Sequence, residues 1–411
     1  MGVTEDLGVV VPEGWEKSHL GQYVKLQGGY AFKSQEFSEA GIPIIRISNV
    51  KPDGLDFTDV KFFPKEKCLS LDAFHVSEDE VLIAMSGATT GKTCVVTKDK
   101  LPAIVNQRVG IFRINNKLKM TEKFIQHIVN SKVFKQNVED MAIGGAQPNI
   151  SGKQIEGIDV ILPPLPEQKK IAAILNSVDD AIAKTKAVIE QTKKLKKGMM
   201  QKLLTRGIGQ TKFKMTEIGE IPEEWEVKTL GEIVDFINGR GFKPHEWKES
   251  GLPIIRIQNL NGGNEYNYYD GDYDPKLIVN PEELLFAWSG SRGTSFGPHI
   301  WKGTKGLLNY HTWKIILING VEKYYLYWVL KNLVALVEQN AHGAAALVHI
   351  QKRDIVNYKV AVPTAKEQLK ISSIMSSVVN MEISETSKLE GLTGLKQALM
   401  QQLLTGKVRV V

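Results

Sequence analysis

Two stretches of the chain repeat apolar residues at alternating intervals of mostly four and three. The first spans residues 166–205 and carries Ile171, Leu175, Val178, Ile182, Ile189, Leu195, Met199 and Leu203. The second spans residues 366–405 and carries Ile371, Met375, Val378, Leu389, Leu392, Leu395, Leu399 and Leu403. After Pro166 the first stretch has no proline, and its single glycine is Gly198. This is the heptad pattern of a long helix with a narrow apolar seam. At 1.5 Å per residue each helix would span roughly 55–60 Å. Thr185 and Thr192 fall on the first seam and predict imperfect packing there. A single stripe of this kind packs on its own domain. Two stripes, each following its own globular segment, point to pairing with one another.

The segments before the helices have a different rhythm. They are rich in Gly, Pro and aromatics and hold short β-type runs at Ile42–Ile47, Val81–Met85, Val109–Ile114 and Ile158–Leu162. Matching runs follow at Leu252–Ile257, Glu283–Trp288, Thr312–Ile318 and Val356–Val362. Helical patterns intervene at Thr121–Val138 and Glu322–Gln339. The mixture predicts an α+β domain.

The halves are copies. Gly41-Ile-Pro-Ile-Ile-Arg-Ile-Ser-Asn49 returns as Gly251-Leu-Pro-Ile-Ile-Arg-Ile-Gln-Asn259, 210 positions later. Pro12-Glu-Gly-Trp15 and Leu20-Gly21 return as Pro222-Glu-Glu-Trp225 and Leu230-Gly231 at the same interval. Further on the interval shrinks to 203 (Ser86-Gly87 and Ser289-Gly290) and then to 200 (Glu167-Gln168 and Glu367-Gln368). Matches in constant order, with a spacing altered only by loop deletions, indicate a duplicated domain. The expected boundaries are a first domain at 1–165, a helix at 166–210, a second domain at 211–365 and a second helix at 366–411.

Composition narrows the picture little. Lys plus Arg number 52 against 46 Asp plus Glu, a net charge of +6, which permits an anionic partner without demanding one. Cys68 and Cys94 cannot form a disulfide framework, and a reducing cytoplasm fits. The sequence has no leader pattern and no apolar run long enough to span a membrane, so neither secretion nor a membrane location is expected.

Taken together, the two Pro-x-x-Trp…Leu-Gly openings, the two Pro-Ile-Ile-Arg-Ile-x-Asn strands, the paired Glu-Gln-x-x-Ile helix starts and the closing Leu403-Leu-Thr-Gly-Lys-Val-Arg-Val410 resemble the specificity subunits of type I restriction–modification systems. The resemblance covers nearly the whole chain. It implies two similar target-recognition domains, each followed by a long helix, with the helices pairing as an antiparallel coiled coil. It further implies a subunit without a catalytic centre that reads a bipartite, asymmetric site in double-stranded DNA, one domain per half-site. Two modification subunits, and through them restriction subunits, would be its protein partners. AdoMet and ATP would bind those partners, and this chain would need no cofactor of its own. The competing expectation is a duplicated coiled-coil adaptor that joins subunits without reading sequence.

Comparing the copies singles out candidate DNA contacts. Features shared by both copies should be frame or phosphate-positioning, and equivalent loops that differ should hold base readout. Arg46 and Arg256 are shared and sit in apolar strands, so a structural ion pair is the favoured reading. The first differing loop holds Thr89, Thr90 and Lys92 in one copy and Ser291, Arg292 and Thr294 in the other. Gln107-Arg108 faces Tyr310-His311 in the next; Gln and Arg suit adenine and guanine edges respectively. The third pits Gln147, Asn149 and Lys153 against His349, Gln351 and Lys352. Each of these loops could equally be an ordinary turn with polar caps. The lysine cluster Lys193, Lys194, Lys196, Lys197 and Lys202 reads first as a solvated helix face.

Enzyme readings fail on spacing. Ser86 to Thr93 nearly spells a phosphate-binding loop but has Ser86 where the first glycine is required. The histidines and cysteines show no metal-ligand spacing, so no metal is expected.

Overall fold

A computed structural model describes residues 11–142, 148–291, 293–340 and 347–410. The chain forms two compact units. Unit 1 holds the described residues up to Lys186 and those from Ser387 onward; unit 2 is Ala187–Thr386.

Unit 1 begins with β1 (Glu16–His19), β2 (Val24–Gly28), β3 (Ile42–Ile45) and β4 (Lys61–Phe63). Next come β5 (Val81–Ala84), β6 (Thr93–Val95), β7 (Ile104–Val105) and β8 (Val109–Ile114). Then follow α1 (Glu122–Asn130), α2 (Lys132–Ala142), α3 (Gly152–Glu156), β9 (Asp159–Leu162) and the long α4 (Leu165–Arg206). The main sheet is antiparallel in the order β2-β8-β5-β6. A second sheet, β4-β3-β7, pairs β3 with β7 in parallel. The predicted helix at 121–138 is in fact two helices. Ser131 takes extended backbone, and its hydroxyl accepts from Phe134 N at 3.2 Å, capping α2.

Unit 2 repeats the plan. It contains β10 (Glu226–Thr229), β11 (Val234–Asn238), β12 (Leu252–Ile255), β13 (Tyr268–Tyr269), β14 (Ile278–Val279) and β15 (Leu284–Ala287). β16 (Ser289–Ser291), β17 (Gly297–Ile300), β18 (Gly306–Leu308) and β19 (Thr312–Leu317) lead to α5 (Lys323–Asn340). The unit continues through β20 (Leu347–His349), α6 (Lys352–Val356) and β21 (Lys359–Val362) to α7 (Ala365–Leu403). Its main sheet runs β11-β19-β15-β17, and the smaller one β13-β12-β18-β14, again with a parallel pair at its centre, β12 with β18.

The repeated motifs meet one another in space. In unit 1 the indole of Trp15 donates to Glu167 at 3.0 Å; in unit 2 Trp225 donates to Glu367 at 2.9 Å. Gln168 donates to Pro163 O and accepts from Thr121 N, fixing the start of α1, and Gln368 does the same through Pro363 O and Glu322 N. Asn49 and Asn259 each accept the preceding arginine's amide, from Arg46 and Arg256, at 2.9 Å. The tryptophan and Glu-Gln motifs are therefore the joints between helix and domain, while the Arg-Ile-x-Asn motif closes a turn within the domain. Arg46 makes the expected ion pair, with Asp59 at 3.0 Å, whereas Arg256 lies over the ring of Trp247.

The two long helices pair antiparallel within each unit. In unit 1 Ile171 and Leu175 of α4 share a core with Leu403 and Leu404, and Asp179 pairs with Lys396 at 2.5 Å. In unit 2 Leu203 and Leu204 share a core with Ile371 and Met375, and Lys196 pairs with Glu382 at 2.5 Å. Ile171, Leu175, Val178, Ile189, Leu203, Ile371, Met375, Val378 and Leu403 are buried, and Ile182, Leu392 and Leu399 are half-buried. Thr185 and Thr192 are buried as the seam requires. Leu195 and Leu395, expected on the seam, are exposed instead. The next residues, Lys196 and Lys396, occupy the seam positions and meet carboxylates there. Among the described residues, no helix is long and apolar enough to cross a membrane.

Candidate nucleic-acid interface

The antiparallel order β2-β8-β5 brings the loop after β5 and the loop before β8 to one end of the main sheet of unit 1. Met85 N donates to Arg108 O at 2.9 Å, which couples the two loops. The segment before α3 completes the cluster. Ile150 N donates to Met85 O, Gly87 N to Pro148 O, and Thr90 Oγ1 to both Gly87 O and Pro148 O. Ser86 bridges Asn149 in antiparallel fashion.

Ser86, Arg108, Pro148 and Asn149 line a recess of about 230 Å³. Ser86 Oγ and Thr89 Oγ1 are buried without a hydrogen-bonding partner among the described residues. Buried hydroxyls are almost always satisfied, so these two have hydrogen-bonding capacity left for water or another polar partner. Gln107, Arg108, Lys92 and Asn149 are exposed around it. Lys153 is exposed on α3. Gln147 lies outside the described residues.

Unit 2 builds the same place from other chemistry. The single bridge of unit 1 becomes a full strand pair, β16 with β20, in which Ser289 faces His349. Trp288 N donates to His311 O, Ile350 N donates to Trp288 O, and the Trp288 indole donates to Tyr310 O at 2.9 Å. The rings of Tyr310 and His311 lie 3.7 Å apart, and those of Trp288 and His311 5.2 Å apart. Tyr310 is exposed, whereas His311 Nδ1 is buried without a partner among the described residues. Burial lowers the His311 pKa, so its ring is neutral at pH 7. Where unit 1 offers Gln107 and Arg108, unit 2 thus offers a cluster of mutually tilted rings.

Other candidates are absorbed by their surroundings. Thr294 Oγ1 donates to Ser291 O, and Ser291 N to Ser295 Oγ, a local turn. The Lys352 ammonium is held by Phe236 O and Asp235 on β11. Gln351 is exposed before α6 without a side-chain cap, whereas Ser151 at the equivalent place closes a capping box with Gln154. Arg292 lies outside the described residues. Ser86 and Trp288 were not singled out from the sequence. Ser86 belongs to a repeated Ser-Gly pair and Trp288 precedes its counterpart, and only the backbone pairing reveals that they join the three loops.

The basic stretch late in α4 is partly tied down: Lys193 pairs with Glu190 of its own helix, and Lys196 with Glu382. Among the described residues no group of His, Cys, Asp and Glu could hold a metal ion.

Comparisons with known proteins agree with this architecture. The family model described as the type I restriction modification DNA specificity domain matches twice, at residues 12–194 and 222–393. The MjaVIII specificity subunit of Methanocaldococcus jannaschii, a type I restriction enzyme component, is 28% identical and covers 98% of this chain and 95% of its own. The EcoKI specificity subunit of Escherichia coli is 26% identical over 62% of this chain and 55% of its own. Among solved structures, the S subunit of M. genitalium superposes with a TM-score of 0.59 at 16% identity, covering 98% of both chains. A chain from a study of complex assembly in the type I restriction–modification system gives the same TM-score at 16% identity, over 97% of this chain and 100% of that one. These two likenesses concern the fold. The matched residues make up most of the chain, and it belongs to the family of type I restriction–modification DNA specificity domains.

Proposed function

We propose that this chain is the sequence-specific DNA-binding subunit of a type I restriction–modification complex, with one recognition domain per half-site of a bipartite, asymmetric sequence. The domains are taken as 1–165 and 211–365, joined to helices 166–210 and 366–411. The observation that carries the reading is the contrast at one place shared by the two frames. The same three loops meet in both units, yet one presents Gln107, Arg108 and orphan hydroxyls while the other presents Tyr310 packed at a tilt against His311. A scaffold without readout would have no reason to keep the frame and change the chemistry at the place where the three loops meet. Adenine and guanine edges suit Gln107 and Arg108. Thr89, Thr90, Lys92, Asn149, Lys153, His349 and Gln351 stand as further contacts to bases or phosphates. The paired helices act as the spacer between half-sites.

The chain itself is non-catalytic in this reading. Methyl transfer and cleavage belong to two modification subunits and the restriction subunits they recruit. Val188, Leu195, Leu369, Met381, Ile383 and Leu395 leave apolar surface exposed on the long helices, which supports helical partners docking there.

Methylation mapping of the host genome with and without the gene tests the proposal. An interrupted motif lost on deletion is expected, and an unchanged methylome would sink it. A four-residue insertion in α4 with its counterpart in α7 should alter the tolerated gap between half-sites.

A further inference from the structure

Unit 2 contains an open groove of about 680 Å³ away from the three loops, between α5, the end of β17 and the loop before β13. Tyr266, Trp301, Tyr324 and Tyr327 supply rings, and Lys302 and Lys331 supply positive charge. The one carboxylate lining it, Glu282, already accepts the Tyr324 hydroxyl at 2.7 Å. Lys331 has no hydrogen bond or ion pair among the described residues; its ammonium lies 5.6 Å from the centre of the Tyr327 ring. Burial lowers the Lys331 pKa, with the charge of Glu338 opposing and that of Lys196 adding to the lowering, so a half-buried ammonium here gains from a directly bound external anion.

The other copy sharpens the point. Thr121 and Glu322 both donate their amides to the Gln168/Gln368 pair, which sets the register of α1 against α5. By that register Tyr324, Tyr327 and Lys331 correspond to Lys123, Gln126 and Asn130. In unit 1 these side chains close on their own neighbours. Lys123 pairs with Asp79 at 2.6 Å, Gln126 donates to Asp79 O at 2.8 Å, and Asn130 Oδ1 accepts from Thr93 at 3.3 Å. Asp79 is the counterpart of Glu282, and both hold positive φ. The backbone frame is therefore retained, while a self-satisfied polar patch has been replaced by rings and unpaired lysines.

We propose that this groove is a nucleotide-binding site, in which a planar base lies on the tyrosine rings and its phosphate takes Lys331 and Lys302. Aromatic faces accept any base by stacking, and an ammonium accepts phosphate as a point charge. The volume falls in the range usual for pockets that take small molecules, about 300–1,000 Å³. A free mononucleotide and a nucleotide of an unpaired strand share this chemistry.

The full chain would be titrated calorimetrically with AMP, adenosine, inorganic phosphate and a short oligothymidine strand. AMP should bind saturably, with adenosine and phosphate each weaker by about tenfold or more, the loss expected when one of two anchors is missing. Lys331→Gln and Tyr327→Leu should each weaken AMP by about tenfold, while Lys331→Arg keeps its affinity. The double variant Tyr327→Gln/Lys331→Asn, copying unit 1, should abolish binding with an unchanged thermal melt. Tighter binding of the strand than of AMP, lost in the same variants, would assign the site to an unpaired strand; the reverse order assigns it to a free nucleotide. No saturable binding of AMP or the strand, equal affinity for adenosine and AMP, or no effect of Lys331→Gln overturns the proposal. Methylation specificity, which tests the DNA-reading role, is independent of each result.

Discussion

Arg409 Nε and Nη2 donate to the two carboxylate oxygens of Glu167 at 2.8 and 2.9 Å, across 242 positions of sequence. The same carboxylate accepts the Trp15 indole and the amide of Val410. The arginine's hydrogen bonds, ahead of the Val410 and Trp15 contacts, hold the Glu167 pKa below its usual value against the opposing effect of burial. A depressed carboxyl stabilises the fold above its unfolded pKa, and that stability is lost as pH falls through the folded value. Thermal melts of the Arg409→Ala chain should therefore depend less steeply on pH below about pH 4.5, the unfolded carboxyl range. An unaltered acid limb would show that the clamp contributes nothing.

Trp225 is fully buried and its indole meets Glu367. Trp225→Phe keeps most of the ring volume but deprives a buried carboxylate of one donor. The expected cost to unit 2 is about 1–3 kcal/mol, read from denaturant unfolding. Ile208 N and Gln210 still donate to Glu367, so the unit should remain folded.

His127 is buried, and its ring meets Asn176 at 2.9 Å. Burial is the largest influence and lowers its pKa, outweighing the opposite effects of Asn176 and Asp179; Lys396 adds to the lowering. A histidine with a depressed folded pKa binds its proton more readily when unfolded, so stability falls as pH drops below about 6.5. His127→Gln should flatten that limb between about pH 7 and 5. A limb as steep as in the parent chain would assign it to other groups.

Gly29 and Gly239 each sit under the loops proposed to touch DNA. A Cβ at Gly29 would stand 2.2 Å from Val105 O, and one at Gly239 2.0 Å from Asn309 O. Backbone cannot yield as a flexible side chain can. Alanine at either position should cost about 2–4 kcal/mol and displace Gln107-Arg108 or Tyr310-His311 respectively. Limited proteolysis of each variant would report the displacement; unchanged cleavage and stability would contradict it.

Replacing Gln107 and Arg108 together by alanine should relax one half-site and leave the other intact, while Tyr310→Ala should do the reverse. Discrimination lost per base pair is expected at about 1–3 kcal/mol, measured by competition between duplexes altered in one half-site. Equal losses in both halves from either variant would refute separate readout.

Much of this fold was legible in the sequence because it is written twice and because a seam of threes and fours specifies a helix pair. The joints were legible only as motifs. Nothing in the spacing of Trp15 and Glu167 says that they bond, since 152 positions separate them. The seam failed where a lysine could reach a carboxylate. Lys196 and Lys396 displaced Leu195 and Leu395 because an ion pair on the partner helix keeps the long apolar stem buried and its charge satisfied. The loops were chosen by their divergence, which identifies a region but not its lining. Ser86 and Trp288 belong to it through backbone pairing, a relation fixed by sheet register and invisible along the chain.

The two helix-start carboxylates have one further consequence. Glu367 is met by Ile208 and Gln210, which lie on the continuous chain leaving α4, whereas Glu167 is met by Arg409 and Val410. The same socket is thus filled once by an unbroken strand of backbone and once by a tail that returns to Glu13, to whose carbonyl Arg409 also donates. One kind of socket thus closes equally on contiguous backbone and on a segment distant in sequence, so it depends on the donors that reach the carboxylate and not on how the chain connects them.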